Sequence, residues 1–513
     1  MRKQLRLEHS EAFRNFCQIT IPASMNTRKN IRINRLVIMG LRMYYGKYSI
    51  RFMKNAWRRI VFVVCILGVF ILGWIAYGKI STRESRVALC HECNIVMIVV
   101  DPLRADALES LGNKRSVTPV LNELASRGYI FTNAMAASSW TLPSAMSLMT
   151  GVYPSLHGIV NKDLLVSNSA KETMTANLGE LHPTMRTFAQ EFKEQGYATA
   201  AFTGGAAMEA TYGFDQGFDV YESLGNFAGL PAATSSAIAF VEKHADDKIF
   251  LLLHGFDVHG QYIPPGGLDR RFVDASYKGK LVGSTEEQKN LREEGVLQGK
   301  IFLEPDDVAF LRAVYDEKVA FMDKSIGEFI AVYDKLGLSR DTIFVVTSSH
   351  GEEFYEHGRI DHGMTLYDEV LHIPLVVIPP KNSGNRKVSQ QVRNIDILPT
   401  LFSLAGLTLT PSMQSQIQGE SLLPLMEGKT LSLDIYPETV YRYATMQRAI
   451  RSADGWKLIL DEEMQTKKLF NITKDRGELV DIYQQSSSQR KELLEKLLQH
   501  IDEMRQPRTN SNE

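Results

Sequence analysis

Asn94–Asp106, NIVMIVVDPLRAD, decides how the rest of the chain is read. Ile95–Val100 is apolar throughout, with no polar alternation. A strand with one face in water would alternate. A continuous apolar run fits a strand buried on both faces, and hence a parallel sheet with helices on either side. Asp101 ends the run. Ligands bind beyond the carboxyl ends of such strands, so Asp101 stands at a candidate site.

Outward from this stretch, helical and extended patterns alternate. Pro119–Arg127 reads as a helix closed by Gly128. Met185–Gln195 reads as a helix closed by Gly196 and followed by strand Tyr197–Phe202. Ile249–His254 is apolar and strand-like, and Asp306–Tyr333 is a long helix. Strand Thr342–Thr347 delivers Ser348, Ser349 and His350 to the same edge as Asp101. Leu375–Ile378 reads as a strand and Ile397–Ala405 as a helix. The alternation predicts an α/β fold: a doubly wound, mainly parallel sheet flanked by helices, over residues 94–408. Gly267–Gln298 is charged and Gly/Lys/Glu-rich and reads as a surface loop insertion, with a lid as the alternative. After Pro411 the pattern changes. Tyr436–Tyr443, Ala449–Ser452 and Trp456–Leu460 read as short antiparallel strands, and Gln489–Arg505 as a terminal helix. They make a smaller C-terminal α+β subdomain, residues 409–505.

The N-terminal part differs in composition. Residues 1–59 hold fourteen Lys and Arg against two acids, and Ile60–Gly78 runs nineteen residues without a charge. That length nearly spans a bilayer core of ~30 Å, and no polar face interrupts it. The basic excess precedes the span. The chain therefore reads as a single-pass membrane protein with a cytoplasmic N-terminus, a transmembrane helix at 60–78, a stalk at 79–93, and a catalytic domain that is periplasmic or extracellular. No small-x-small site follows the apolar run, which favours an uncleaved anchor over a cleaved signal peptide. Net charge of −1 gives no reason to expect nucleic acid as a partner. Four cysteines are too few for a disulfide framework; Cys90 and Cys93 (CHEC) read as a local disulfide or as two free thiols.

Ser138–Gly151, SSWTLPSAMSLMTG, reads as a turn into a helix. Pro143 suits a first turn, and Thr141 stands just ahead of it in the cap region. A hydroxyl there faces unpaired N–H groups and the positive end of the helix dipole, a setting for an anionic ester and for a nucleophile that sheds a proton.

These segments occur in an order that resembles the sulfatase and alkaline phosphatase superfamily. They are Asn94–Asp106, Thr118–Leu124, the T-x-P-S segment with Thr150-Gly151, SSHGEEFYEHG at Ser348–Gly358, and Gly363–Pro374. The resemblance covers roughly Asn94 to Tyr483. It implies one divalent metal ion (Ca, Mg, Mn or Zn) held by Asp101, Thr141, Ser349 and His350. It also implies Thr141 as nucleophile. His259, in Phe256-Asp257-Val258-His259, would contact the ester oxyanion, and His362 would bind the transferred group or protonate the leaving group. His157 and His254 are weaker candidates, as readily structural.

Four departures from the family pattern matter. Sulfatases place Cys or Ser at the nucleophile and oxidise it to formylglycine. Thr141 cannot follow, because its β-carbon carries a methyl group, and Ala145 replaces the usual Arg. Thr141 instead resembles the branches with an unmodified Thr nucleophile, among them phosphoethanolamine and glycerol-phosphate transferases and phosphodiesterases. Ser349 and Pro102 stand where acidic metal ligands are expected, leaving one formal carboxylate for a dication unless Glu352 or Asp361 substitutes. Two readings follow. One is a metal-dependent hydrolase or transferase of sulfate or phosphate esters at the outer face of a membrane, with a substrate that is lipid- or envelope-linked if the tether dictates it. The other is a pseudoenzyme binding an anionic glycan or lipid headgroup.

Overall fold

The strand Asn94–Val100 is buried along its whole length, and its side chains divide strictly between two cores. Ile95, Met97 and Val99 enter one; Val96, Ile98 and Val100 enter the other. The unbroken apolar run is therefore an alternation after all, with both faces covered. The structure is a computed structural model that describes residues 90–91, 93–161, 181–260, 270–298, 302–380, 386–441 and 445–505.

The strands in chain order are β1 (Asn94–Val100), β2 (Tyr129–Met135), β3 (Ala198–Thr203), β4 (Val220–Ser223), β5 (Ile249–Gly255), β6 (Thr342–Thr347), β7 (Glu353–Phe354), β8 (Ile360–Asp361), β9 (His372–Ile378), β10 (Arg386–Val388), β11 (Val392–Arg393), β12 (Glu438–Thr439), β13 (Gln447–Arg451), β14 (Trp456–Asp461) and β15 (Thr466–Asn471). The main sheet runs β10-β2-β9-β6-β1-β5-β3-β4, with β11 extending the pairing along β2. Only β9 runs against its neighbours β2 and β6; the other pairings in this sheet are parallel. Helices Thr141–Thr150, Phe188–Glu194 and Ile397–Leu404 pack on one face. Helices Pro119–Ser126, Leu230–Lys243 and Pro305–Lys335 pack on the other. This is the expected mainly parallel α/β architecture. Because β1, β5 and β6 are parallel neighbours, their carboxyl ends open on one rim, where Asp101, His254 and Ser348–His350 meet.

Strands β12–β15 form a separate antiparallel sheet in sequential order. Ile450, Leu458, Leu460 and Leu469 pack against Leu493, Leu497 and Ile501 of helix Ser487–Arg505. A buried ionic cluster ties this sheet to the main domain: Lys457 Nζ lies 2.8 Å from Asp368 and from Glu478, and Arg451 lies 3.0 Å from Asp368.

Three local expectations change. The helix of the T-x-P-S segment begins at Thr141 itself, with Trp140 as an extended cap residue. Ser144 N–H donates to Trp140 O at 3.3 Å, so the first helical bond closes one residue earlier than expected. The insertion at 267–298 carries a helix, Thr285–Gln298, rather than only a loop. Strand β15, with the sequence TKKLFN, lacked a clear period and was not anticipated. Among the described residues no helix is long and apolar enough to cross a membrane. The expected span at 60–78 and the basic segment before it lie outside the described residues.

Candidate active site

Asp101 is completely buried and closely surrounded by donors. Its Oδ1 accepts from Ser349 N at 2.7 Å and from Ser348 Oγ at 2.9 Å. Its Oδ2 accepts from Ser349 Oγ at 2.6 Å and faces His254 Nε2 at 3.1 Å. Gly204 N–H donates to His254 Nδ1 at 3.4 Å, which leaves Nε2 as the protonated nitrogen pointing at Asp101. Burial works against ionising Asp101, but the hydrogen bonds from His254 and Ser349 hold its carboxyl well below the usual carboxylate range.

Thr141 Oγ1 lies 3.1 Å from His350 Nε2. The other ring nitrogen, Nδ1, lies 2.8 Å from Gly351 O, a group that only accepts. His350 therefore carries its proton on Nδ1 and turns the Nε2 lone pair toward the threonine hydroxyl. Burial first, and then the charge of His362, push His350 down to about 3 and keep it neutral. The local backbone is pinned from helix Thr141–Thr150. Ser144 Oγ donates to Ser349 O at 2.5 Å, and Asn394 Nδ2 donates to Ser144 Oγ at 3.1 Å.

His362 sits in an acidic clamp. Its Nδ1 lies 2.9 Å from Glu352 Oε1 and 2.9 Å from Asp361 Oδ1. Burial opposes its charge, but Asp361 and then Glu352 outweigh that and raise His362 well above the ordinary imidazole value. Nε2 remains as the free, protonated end. Arg292, on helix Thr285–Gln298, donates to Asp361 Oδ2 at 3.0 Å. The His362 ring lies 4.3 Å from that of His350 and 5.1 Å from that of His259. His259 also packs on Phe227 at 4.5 Å, and burial together with the charge of His362 lowers it well below the usual value. Thr141, His350, His362 and His259 thus form one continuous group.

His157 is structural. Its Nδ1 accepts from Ile159 N at 3.1 Å, and its Nε2 faces Pro143 O and Ser147 Oγ at 3.2 and 3.0 Å. His254, weighted equally between roles, belongs to the site through Asp101. Its signal was available: it lies one position before the end of β5 beside β1, paired with Val99.

The divalent ion implied by the family resemblance can be tested against these donors. The expected ligands separate into two hydrogen-bonded pairs, Asp101 with Ser349 and Thr141 with His350. Ser349 spends its proton on Asp101, and Asp101 brings the only carboxylate of the set. An ionised carboxylate has about four lone-pair sites; His254 Nε2, Ser349 N and Ser349 Oγ address three, and Ser348 Oγ at 2.9 Å shares its one proton between Asp101 and His350 O. Glu352, Asp361 and His362 do bring ligand atoms within 4.8 Å of one another. There, however, the imidazolium already neutralises the carboxylates, aided by Arg292. The expected ligand set does not fit a bound dication.

The relatives of the chain agree with this architecture. The sulfatase family model matches residues 93–407. A second model, the C-terminal part of N-sulphoglucosamine sulphohydrolase, matches residues 355–507. Arylsulfatase K of Rattus norvegicus is 23% identical over 459 residues, covering 78% of this chain and 77% of that protein. Steryl-sulfatase of Homo sapiens is 24% identical, covering 66% and 70%. Among solved structures, a protein in complex with its substrate D-glucosamine-2-N,6-O-disulfate superposes with a TM-score of 0.62 at 19% identity, over 82% of this chain and all of that one. The phosphonate monoester hydrolase of Agrobacterium radiobacter gives 0.62 at 18% identity, over 80% and 96%. At such identities these structures share the fold. With its family model spanning more than half of its length, the chain belongs to the sulfatase family.

Proposed function

We propose that this chain hydrolyses or transfers the anionic group of sulfate or phosphate esters, with Thr141 as the nucleophile. The observation that carries the proposal is the 3.1 Å contact between Thr141 Oγ1 and a neutral His350, at the rim where three parallel strands end. The start of helix Thr141–Thr150 supplies unpaired N–H groups for the ester oxygens. His362, cationic and clamped, orients the transferred group and presents an Nε2 proton to the departing oxygen. His259 lines the same space. The related proteins named for sulfated sugars, steroid sulfate and phosphonate monoesters support an anionic ester as the substrate class.

The placement proposed is outside a membrane, tethered by Ile60–Gly78. The basic segment before that span supports it. So does the Cys90–Cys93 disulfide, since disulfides persist in oxidising compartments. A lipid- or envelope-linked substrate would be within reach of such a tether.

Turnover of para-nitrophenyl sulfate and para-nitrophenyl phosphate by the full chain, compared with Thr141→Ala, tests the enzymatic reading. Loss of turnover in the variant, at unchanged Tm, is expected; equal turnover would refute it. The replacement of an acidic residue by Ser349 favours the second reading, a binding protein for an anionic glycan or lipid headgroup. That reading predicts saturable binding of sulfated glycans or anionic vesicles with no turnover by either form.

A further inference from the structure

We infer that this chain works without the divalent ion of its relatives, and that His350 serves as the base that takes the Thr141 proton. The inference rests on the proposal that Thr141 is the nucleophile.

Two independent observations carry it. The first is the state of Asp101. His254 Nε2, Ser348 Oγ, Ser349 N and Ser349 Oγ all lie within 3.1 Å of its oxygens. To admit a cation, these donors would have to give way; His254 is held in β5 by its parallel pairing with β1, and Ser348 and Ser349 directly follow the end of β6. Pro102 and Ser349 supply no second carboxylate. Hydrogen bonds from an imidazole, a backbone N–H and hydroxyls therefore already solvate the Asp101 carboxylate. The second observation is the direction of His350. Metal ligation and base function make competing claims on one lone pair, that of Nε2. Gly351 O fixes the tautomer, and the lone pair meets the Thr141 hydroxyl at 3.1 Å, within the reach required of a general base; the negative charge of a bound ester offsets the burial and the His362 charge that disfavour its protonation.

The step balances without a metal. The Thr141 Oγ–H bond breaks and its proton passes to His350 Nε2. The oxygen forms a bond to the sulfur or phosphorus of the ester. The bond from that atom to the alcohol oxygen breaks, and the alcohol leaves with the electron pair and the His362 Nε2 proton. Water then attacks the Thr141 adduct: His350 returns the proton it holds to the departing Thr141 Oγ, one water proton restores His362 Nε2, and the other leaves on the released hydrogen sulfate or hydrogen phosphate. The released sulfate or phosphate completes the cycle.

The test uses the full chain, dialysed against a chelator. Bound Ca, Mg, Mn and Zn are counted by plasma mass spectrometry, and Tm is recorded with and without each ion. Labelling of Thr141 by para-nitrophenyl phosphate is followed by peptide mass spectrometry in the native chain and in His350→Gln. The inference expects no stoichiometric ion, no ion-dependent shift in Tm, and chelator-insensitive labelling. It expects His350→Gln to label on the order of 10²-fold more slowly or worse. One equivalent of ion, or labelling that needs an added ion, overturns this inference and leaves Thr141 as nucleophile intact. Labelling of His350→Gln at the native rate overturns the base role. Absence of any label on Thr141, with or without ions, overturns both.

Discussion

Ser349 Oγ donates to Asp101 Oδ2 at 2.6 Å across the gap between the ends of β6 and β1. A hydroxyl thus occupies the place where a second carboxylate would repel Asp101 unless a cation stood between them. Ser349→Asp should recreate that demand. The variant is expected to melt below the native chain without ions and to recover on adding a divalent cation. A hundredfold excess over Kd contributes about 2.7 kcal/mol. Thermal melts across Ca, Mg, Mn and Zn measure the effect; a variant indifferent to all four would show that Asp101 and position 349 cannot share an ion.

His362 presents Nε2 to the site only because Glu352 and Asp361 hold Nδ1. A general acid matters most when the leaving oxygen is basic. His362→Gln should therefore slow alkyl esters by ~10²-fold or more while sparing para-nitrophenyl esters, which leave unaided. Comparable losses on both classes would assign His362 to binding rather than to proton donation.

Glu353 lies one residue from the clamp and is fully buried. Thr365 Oγ1 donates to Oε2 at 2.8 Å, while Oε1 has no partner. Burial pushes its carboxyl up to about 8, with Thr365 opposing. The folded state thus binds this proton more tightly than the unfolded state, whose value is near 4.5. Stability from this group is fully present below pH 4.5 and is lost as pH rises toward about 8. Glu353→Gln should remove that loss, so the variant gains Tm over the native chain at pH 8 and not at pH 4. An equal difference at both values would exclude the linkage.

Lys457 is fully buried between Asp368 and Glu478, which joins the C-terminal sheet to the segment ahead of β9. Lys457→Met leaves the buried Glu478 without its cation, while half-buried Asp368 keeps Arg451. Breaking a buried pair from one side costs about 3–5 kcal/mol. Urea unfolding of the variant should show a correspondingly lower midpoint; an unchanged midpoint would mean that the cluster stabilises nothing.

The sequence revealed most of the sheet because long apolar runs such as Ile95–Val100 and Thr342–Thr347 have few alternatives to a buried strand. It also brought Asp101, Thr141, His350, His362 and His259 into view, each at a strand end or in a segment with family likeness. What it concealed depends on pairing between distant positions. Helix Thr285–Gln298 is mostly polar, with Leu291, Val296 and Leu297 as its only apolar residues besides Gly295, so no regular apolar stripe announced it, and Arg292 finds Asp361 sixty-nine positions away. The donors around Asp101 come from β5 and β6, and nothing local to Asp101 signals that its oxygens are already taken. The contribution of β12 was equally hidden: Glu438 N–H donates to Ala137 O at 3.0 Å, just ahead of the nucleophile helix.

A sulfuryl or phosphoryl adduct on Thr141 Oγ must wait for water to attack it. The adduct should therefore accumulate, with a burst of para-nitrophenol before steady turnover. Rapid quench of the full chain with para-nitrophenyl sulfate or phosphate, followed by peptide mass spectrometry, reads this intermediate. One sulfuryl or phosphoryl group on the peptide containing Thr141, absent from Thr141→Ala, is the expected result. Turnover with no modified Thr141 at any time point would rule out Thr141 as the nucleophile.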